Sequence, residues 1–149
     1  MMKFSFAAFI ILILSVSFSL SAQTDVHRWK PLIVNDSEKM WYDALMLDKM
    51  EGDKLDMWVL QMHKPPLKFD GIKGEIYRSK ILYAINFKTV RYGIEKVVYY
   101  DAANQELYKH DYESASLPEN VKYTYPILED SFMYALVKEV VRIKGVQQK

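Results

Sequence analysis

This sequence predicts an α+β domain: an antiparallel β-sheet meander of about six strands with a C-terminal amphipathic helix packed on one face. Three observations predict it. Short runs rich in Tyr, Val and Ile follow one another through the middle of the chain, separated by turn residues. The reversals between them are too short for helical crossovers, so successive strands run antiparallel. The strongest helical pattern comes last, and sequential strands followed by one helix describe a sheet with a helix on one face.

Trp29 to Val34 reads as the first strand, and Pro31 places it on a sheet edge. Asn35-Asp36-Ser37 is turn chemistry. Glu38 to Tyr42 and Ala44 to Met50 are apolar-rich runs on either side of Asp43. They fit one amphipathic helix or a strand pair, and periodicity leaves both open. Glu51 to Lys54 is a turn around Gly52. Leu55 to His63 then alternates, with apolar residues on both faces, as a central strand does. Lys64 to Gly74 holds two prolines and two glycines and reads as a loop.

Glu75 to Asn86 is the next strand, with Ile81, Tyr83, Ile85 and Phe87 on one face. Lys88-Thr89 reverse the chain. Arg91 to Tyr100 follows, with Tyr92, Ile94 and Val98 alternating against Val97 and Tyr99. Asp101 to Asn104 is a short turn, Glu106 to Tyr112 a partly polar strand, and Ser114 to Pro126 irregular. In the last element Phe132, Met133, Leu136, Val137, Val140 and Val141 recur at helical spacing. Asp130 or Ser131 serves as its N-cap and Gly145 as its C-cap. Gln147 to Lys149 is a frayed tail.

The first 22 residues carry an address. Lys3 precedes an apolar run from Phe4 to Leu14, and the segment closes on Ser19-Leu20-Ser21-Ala22. A basic start, an apolar middle and a small-residue exit describe a secretory signal peptide. A retained membrane anchor is the alternative, but a spanning helix needs about 20 apolar residues. Ser15, Ser17, Ser19 and Ser21 dilute this run. Cleavage after Ser21 or Ala22 leaves a single domain, residues 23–149, with no membrane span of its own. With no cysteine in the chain, a lipid-anchored start is excluded. The expected location is the periplasm, the cell surface or the medium.

Lys3 is the one charged residue of the leader. The whole chain has 20 Lys+Arg and 19 Asp+Glu, so the mature domain is balanced. Balance argues against a nucleic-acid partner, which needs a basic face. The absence of cysteine leaves packing alone to hold an exported domain together. Most of the 11 Tyr and three Trp are expected in sheet or core.

Tyr83-Ala84-Ile85-Asn86-Phe87-Lys88 is followed by Arg91-Tyr92-Gly93-Ile94 and then by Tyr99-Tyr100-Asp101. This order of motifs resembles the surface-adhesin E family of exported bacterial domains. The leading Trp29, the Tyr42-Asp43 pair, the Trp58-Val59 strand and Pro126 ahead of a helix extend the similarity over most of the mature chain. The resemblance implies a six-stranded antiparallel sheet with a C-terminal helix, and adhesion to extracellular proteins for the best-known member. Family members often carry a Cys where Phe87 stands, paired with one in the last helix. Here Phe87 offers a hydrophobic contact to the helix in its place.

His27, His63 and His110 have no partner at metal-ligand spacing. His110-Asp111 could meet His63 only across a sheet. Asp48, Glu51, Asp53 and Asp56 lack the spacing of a calcium loop and read as a solvated turn. Ser114 and Ser116 near His110 form no recognisable nucleophile motif. Asp101 with Glu106 reads as hairpin polarity. Neither an enzymatic activity nor a cofactor is expected.

What remains is aromatic. Tyr77, Tyr99, Tyr108 and Tyr112, with Phe69 in the proline-rich loop, are the candidate contact surface for an unidentified protein or envelope component. The bland alternative packs half of these rings inside and leaves the rest scattered. A second functional reading is a small-molecule or lipid site lined by Met40, Met46, Met57, Met62 and Met133. A third is an exported hydrolase built on His110 and Ser116.

Overall fold

The structure is a computed structural model and describes residues 26–145. The signal segment, its cleavage site near Gln23 and the tail at Gln147 to Lys149 lie outside the described residues. The elements are β1 (Trp29–Val34), β2 (Lys39–Asp43), a 3-10 helix (Ala44–Lys49), β3 (Lys54–Leu67), β4 (Ile76–Asn86), β5 (Arg91–Tyr100) and β6 (Glu106–Asp111). A 3-10 turn (Ser114–Ser116), α1 (Glu119–Lys122), β7 (Tyr125–Pro126) and α2 (Phe132–Lys144) follow. Strands β1 to β6 pair in chain order, all antiparallel, and β7 adds to the start of β5. The α+β meander with its closing helix is therefore the observed architecture.

Each reversal has a local cause. The Asn35 side chain accepts the Ser37 and Glu38 N–H groups at 2.9 and 2.7 Å, bringing β1 back as β2. Asn86 does the same for Lys88 and Thr89 at 3.1 Å. Asp101 accepts from Ala103 and Gln105 at 2.8 Å and shapes the turn into β6. Short polar side chains satisfy turn amides that no strand partner reaches.

The structure departs from the sequence expectations in four places. The segment 38–50 is neither one helix nor a strand pair. It is a strand that becomes a 3-10 helix, because the Asp43 carboxylate caps Leu45 N–H at 3.0 Å. Strand β3 runs on through Pro65 and Pro66 to Leu67, so the loop is confined to 68–75. The ladder to β4 breaks between Met62 and Leu67, where the missing proline N–H groups cost nothing. In β5, Tyr92 and Ile94 share a face with Val97 and Tyr99 rather than opposing them. Their partners Ile85, Tyr83, Ile81 and Ser79 all lie on one face of β4, and Glu95 is an extra, bulged residue. Finally, 114–126 is not wholly irregular, since it contains α1 and β7.

Helix α2 begins at Ser131, whose hydroxyl accepts Tyr134 N–H at 3.1 Å, and ends at Gly145 with φ +66°. It lays Met133, Leu136, Val137 and Val140 on Tyr42, Leu55, Met57, Val59, Tyr83 and Ile85. Phe87 is buried in the same cluster as these helix side chains. Tyr42 donates to Glu139 of the helix at 3.2 Å, fixing the far end. On the opposite face α1 covers Gly93. There Glu95, 7% exposed, accepts from Ser114 and pairs with Lys122 at 2.9 Å. No described helix is long and apolar enough to cross a membrane.

Candidate functional site

The hairpin β5–β6 sets Tyr99 directly opposite Tyr108 and Val97 opposite His110. Alternation along β6 then puts Tyr108, His110 and Tyr112 on one face. Their rings form a continuous run. Centroids are 5.9 Å apart for Tyr99–Tyr108, 6.3 Å for Tyr108–His110 and 4.4 Å for His110–Tyr112. The first two pairs are nearly parallel, with interplanar angles of 25° and 17°. Phe69 reaches in from the 68–75 loop and ends the run against Tyr99 at 5.7 Å. Each such pair contributes roughly 0.5–1.5 kcal/mol beyond buried area, enough to order the row.

The row faces water. Tyr108 is 40% exposed, Phe69 46% and Tyr112 47%, whereas Tyr99 is half-buried beneath them. Burial, with Tyr112 and Tyr108 alongside, pushes the Tyr99 phenol above its ordinary range. The Lys96–Asp111 ion pair at 2.8 Å and the Tyr112 N–H bond to Glu95 O at 2.8 Å hold the end of β6 in place. Four of the five aromatic residues singled out from sequence thus come together. Tyr77 does not join the row; its hydroxyl donates to Glu75 at 3.2 Å, at the start of β4. His110 was missed as a contact residue, although its place two residues from both Tyr108 and Tyr112 signals it.

No protein-family model, no curated protein and no solved structure matches this chain. The assignment of a site therefore rests on geometry.

The residues weighed for catalysis are differently occupied. Ser116 Oγ donates to Glu113 O at 2.8 Å, while the His110 ring packs between two tyrosines. His63 on β3 lies three strands away from His110 and bonds Ser79 on β4 at 2.9 Å. Burial holds the His63 imidazole below its ordinary range. Asp48, Glu51, Asp53 and Asp56 are all exposed, and Asp48 meets Lys144 at 3.4 Å. Among the described residues no group of three His, Asp or Glu side chains is placed to hold a metal ion.

A second constellation, absent from the sequence reading, lies on the opposite sheet face. Asp43, 2% exposed, accepts His27 Nδ1–H at 2.8 Å, Arg28 N–H at 2.9 Å and Leu45 N–H at 3.0 Å. Burial opposes its charge, but these bonds outweigh burial and keep the carboxyl below the usual range. The bond to Asp43 leaves His27 Nε2 to accept from Lys80 at 3.3 Å. Lys80 Nζ sits 4.9 Å from the centre of the Trp58 ring, and His27 packs on Trp29 at 4.8 Å. This network ties the segment leading into β1 to β2, β3 and β4.

The methionines divide. Met40, Met57 and Met133 are buried, and Met46 packs against the core. Met62 stands 44% exposed and lines a cavity of 540 Å³ with Asp36, Lys39, His63, Lys64, Pro66 and Tyr77.

Proposed function

We propose that this protein is an exported, non-enzymatic binding domain of the bacterial cell envelope or surface, similar to the surface-adhesin E family, that contacts a protein partner through the Phe69–Tyr99–Tyr108–His110–Tyr112 row. One observation carries the reading: three ring side chains from two strands, Tyr112 just past β6 and Phe69 from a loop are stacked into a single run whose outer members remain open to water. Rigid aromatic rings bring large apolar area at low entropic cost, and tyrosines add a hydroxyl for orientation, which is why such rings dominate protein contacts. The row also follows an edge strand, since β6 pairs only with β5. An extended segment of a partner can add to that edge while its side chains meet the rings. Export rests on the leader-like first 22 residues.

The test is affinity capture from envelope extract by residues 23–149, in parallel with Tyr108→Ala/Tyr112→Ala. Loss of one aromatic anchor costs about 2 kcal/mol, so recovery of the specific partner should fall at least roughly thirtyfold. Equal recovery by both forms, with the variant folded, counts against the reading.

A further inference from the structure

The cavity of 540 Å³ lies where β3 outruns its neighbours, and it shares no residue with the aromatic row. The ladder between β2 and β3 ends at Lys39 opposite Met62, and the β3–β4 ladder breaks after Met62. The strand overhang, the 36–37 turn and Tyr77 therefore enclose space that no strand fills. Its volume is that of sites which hold a small organic ligand, roughly 300–1,000 Å³.

The lining has two characters. Met62, Pro66 and Tyr77 supply an apolar wall, and the exposed Met62 is apolar surface that a ligand would withdraw from water. Methionine adapts to irregular shapes, which suits a flexible or planar body. Lys39 and Lys64 supply cations, and neither ammonium group has an ion pair or side-chain hydrogen bond among the described residues. His63 lies between, bonded to the buried Ser79, and burial lowers its imidazole below the ordinary range. Asp36 is the one acid of the lining. Glu75 beside Tyr77 is taken by Lys68 at 3.0 Å and by the Tyr77 hydroxyl. Two ammonium groups against one carboxylate leave a single positive charge beside an apolar wall.

We infer that this cavity binds a small amphipathic monoanion: a carboxylate head met by Lys39 and Lys64, with its apolar body on Met62, Pro66 and Tyr77. A monoanion neutralises the lining, whereas a cation is repelled by it. The inference stands whether or not the aromatic row recruits a protein.

The experiment uses residues 23–149 and titration calorimetry with decanoate, 2-naphthoate, decanol and decyltrimethylammonium. One-to-one binding of decanoate or 2-naphthoate, at least about tenfold tighter than decanol, is expected from charge-assisted hydrogen bonds. Decanoate distinguishes a lipid-like tail from the ring of 2-naphthoate. Lys39→Gln/Lys64→Gln should abolish the preference for the anion while leaving decanol binding unchanged. Met62→Glu should weaken decanoate, 2-naphthoate and decanol alike. Both variants sit on the surface, and unchanged melting shows that they fold. Equal affinity for anion and alcohol, tighter binding of the ammonium compound, or anion binding indifferent to both variants would overturn the inference.

Discussion

Gly93→Ala should destabilise the domain far more than a single methyl group suggests. Gly93 sits on the face of β5 that α1 covers, and a Cβ built there lies 1.8 Å from the carbonyl oxygen of Lys122 and 3.0 Å from its carbon. Carbon and carbonyl oxygen normally approach to about 3.3 Å, so backbone must move by roughly 1.5 Å. No flexible side chain can absorb this. Strand distortion alone costs about 1–3 kcal/mol, as overpacking does. If α1 lifts instead, Lys122 leaves Glu95, which is 7% exposed, and an uncompensated buried charge costs about 3–5 kcal/mol. The two routes together span about 1–5 kcal/mol, and at about 4 °C per kcal/mol the melting temperature falls by about 4–20 °C. Urea unfolding measures the loss, and amide exchange locates it at β5, Ser114 and α1 rather than at α2. A variant melting within about 2 °C of the parent would refute the close approach on which this rests.

Asp43 and Tyr83 make opposite predictions about pH. The folded-state pKa of Asp43 is depressed, so its contribution is present above the unfolded value of about 3.9 and is lost as pH falls through the folded value. Asp43→Asn should flatten the acid limb of a stability–pH curve measured by urea unfolding between pH 2 and pH 6, and an unchanged limb would place the dependence elsewhere. Burial raises the Tyr83 phenol strongly. The unfolded chain therefore releases this proton first, and stability falls once pH exceeds about 10. Tyr83→Phe should remove that alkaline loss, and a spectrophotometric phenol titration should show one fewer late-ionising tyrosine.

The meander was legible because alternation and turn chemistry are local. Asn35, Asn86 and Asp101 cap their own turns, and Leu55 to His63 alternates without reference to anything distant. What escaped depends on partners far along the chain. Asp43 ends β2 through bonds to His27 and Arg28, some 15 residues earlier, so no window around 38–50 reveals the strand-to-helix switch. The Glu95 bulge is invisible in an otherwise regular run, and it appears only when β4 fixes the register. Pro65 and Pro66 read as breakers because sequence does not show that the ladder skips them. Of the candidate surface, Tyr108 and Tyr112 were readable from alternation, and Phe69 from its loop. The stacking of His110 between them, and the separation of Tyr77 from the row, required the fold.

The most direct test of the central claim is site-specific photo-crosslinking in the native envelope. A photoreactive phenylalanine analogue replaces Tyr108 in one form and the exposed Val34 on the opposite edge strand in another. The account predicts a discrete protein adduct from position 108 and none from position 34. Adducts from position 34 alone, or none from either, would contradict the assignment of the aromatic row as the binding surface.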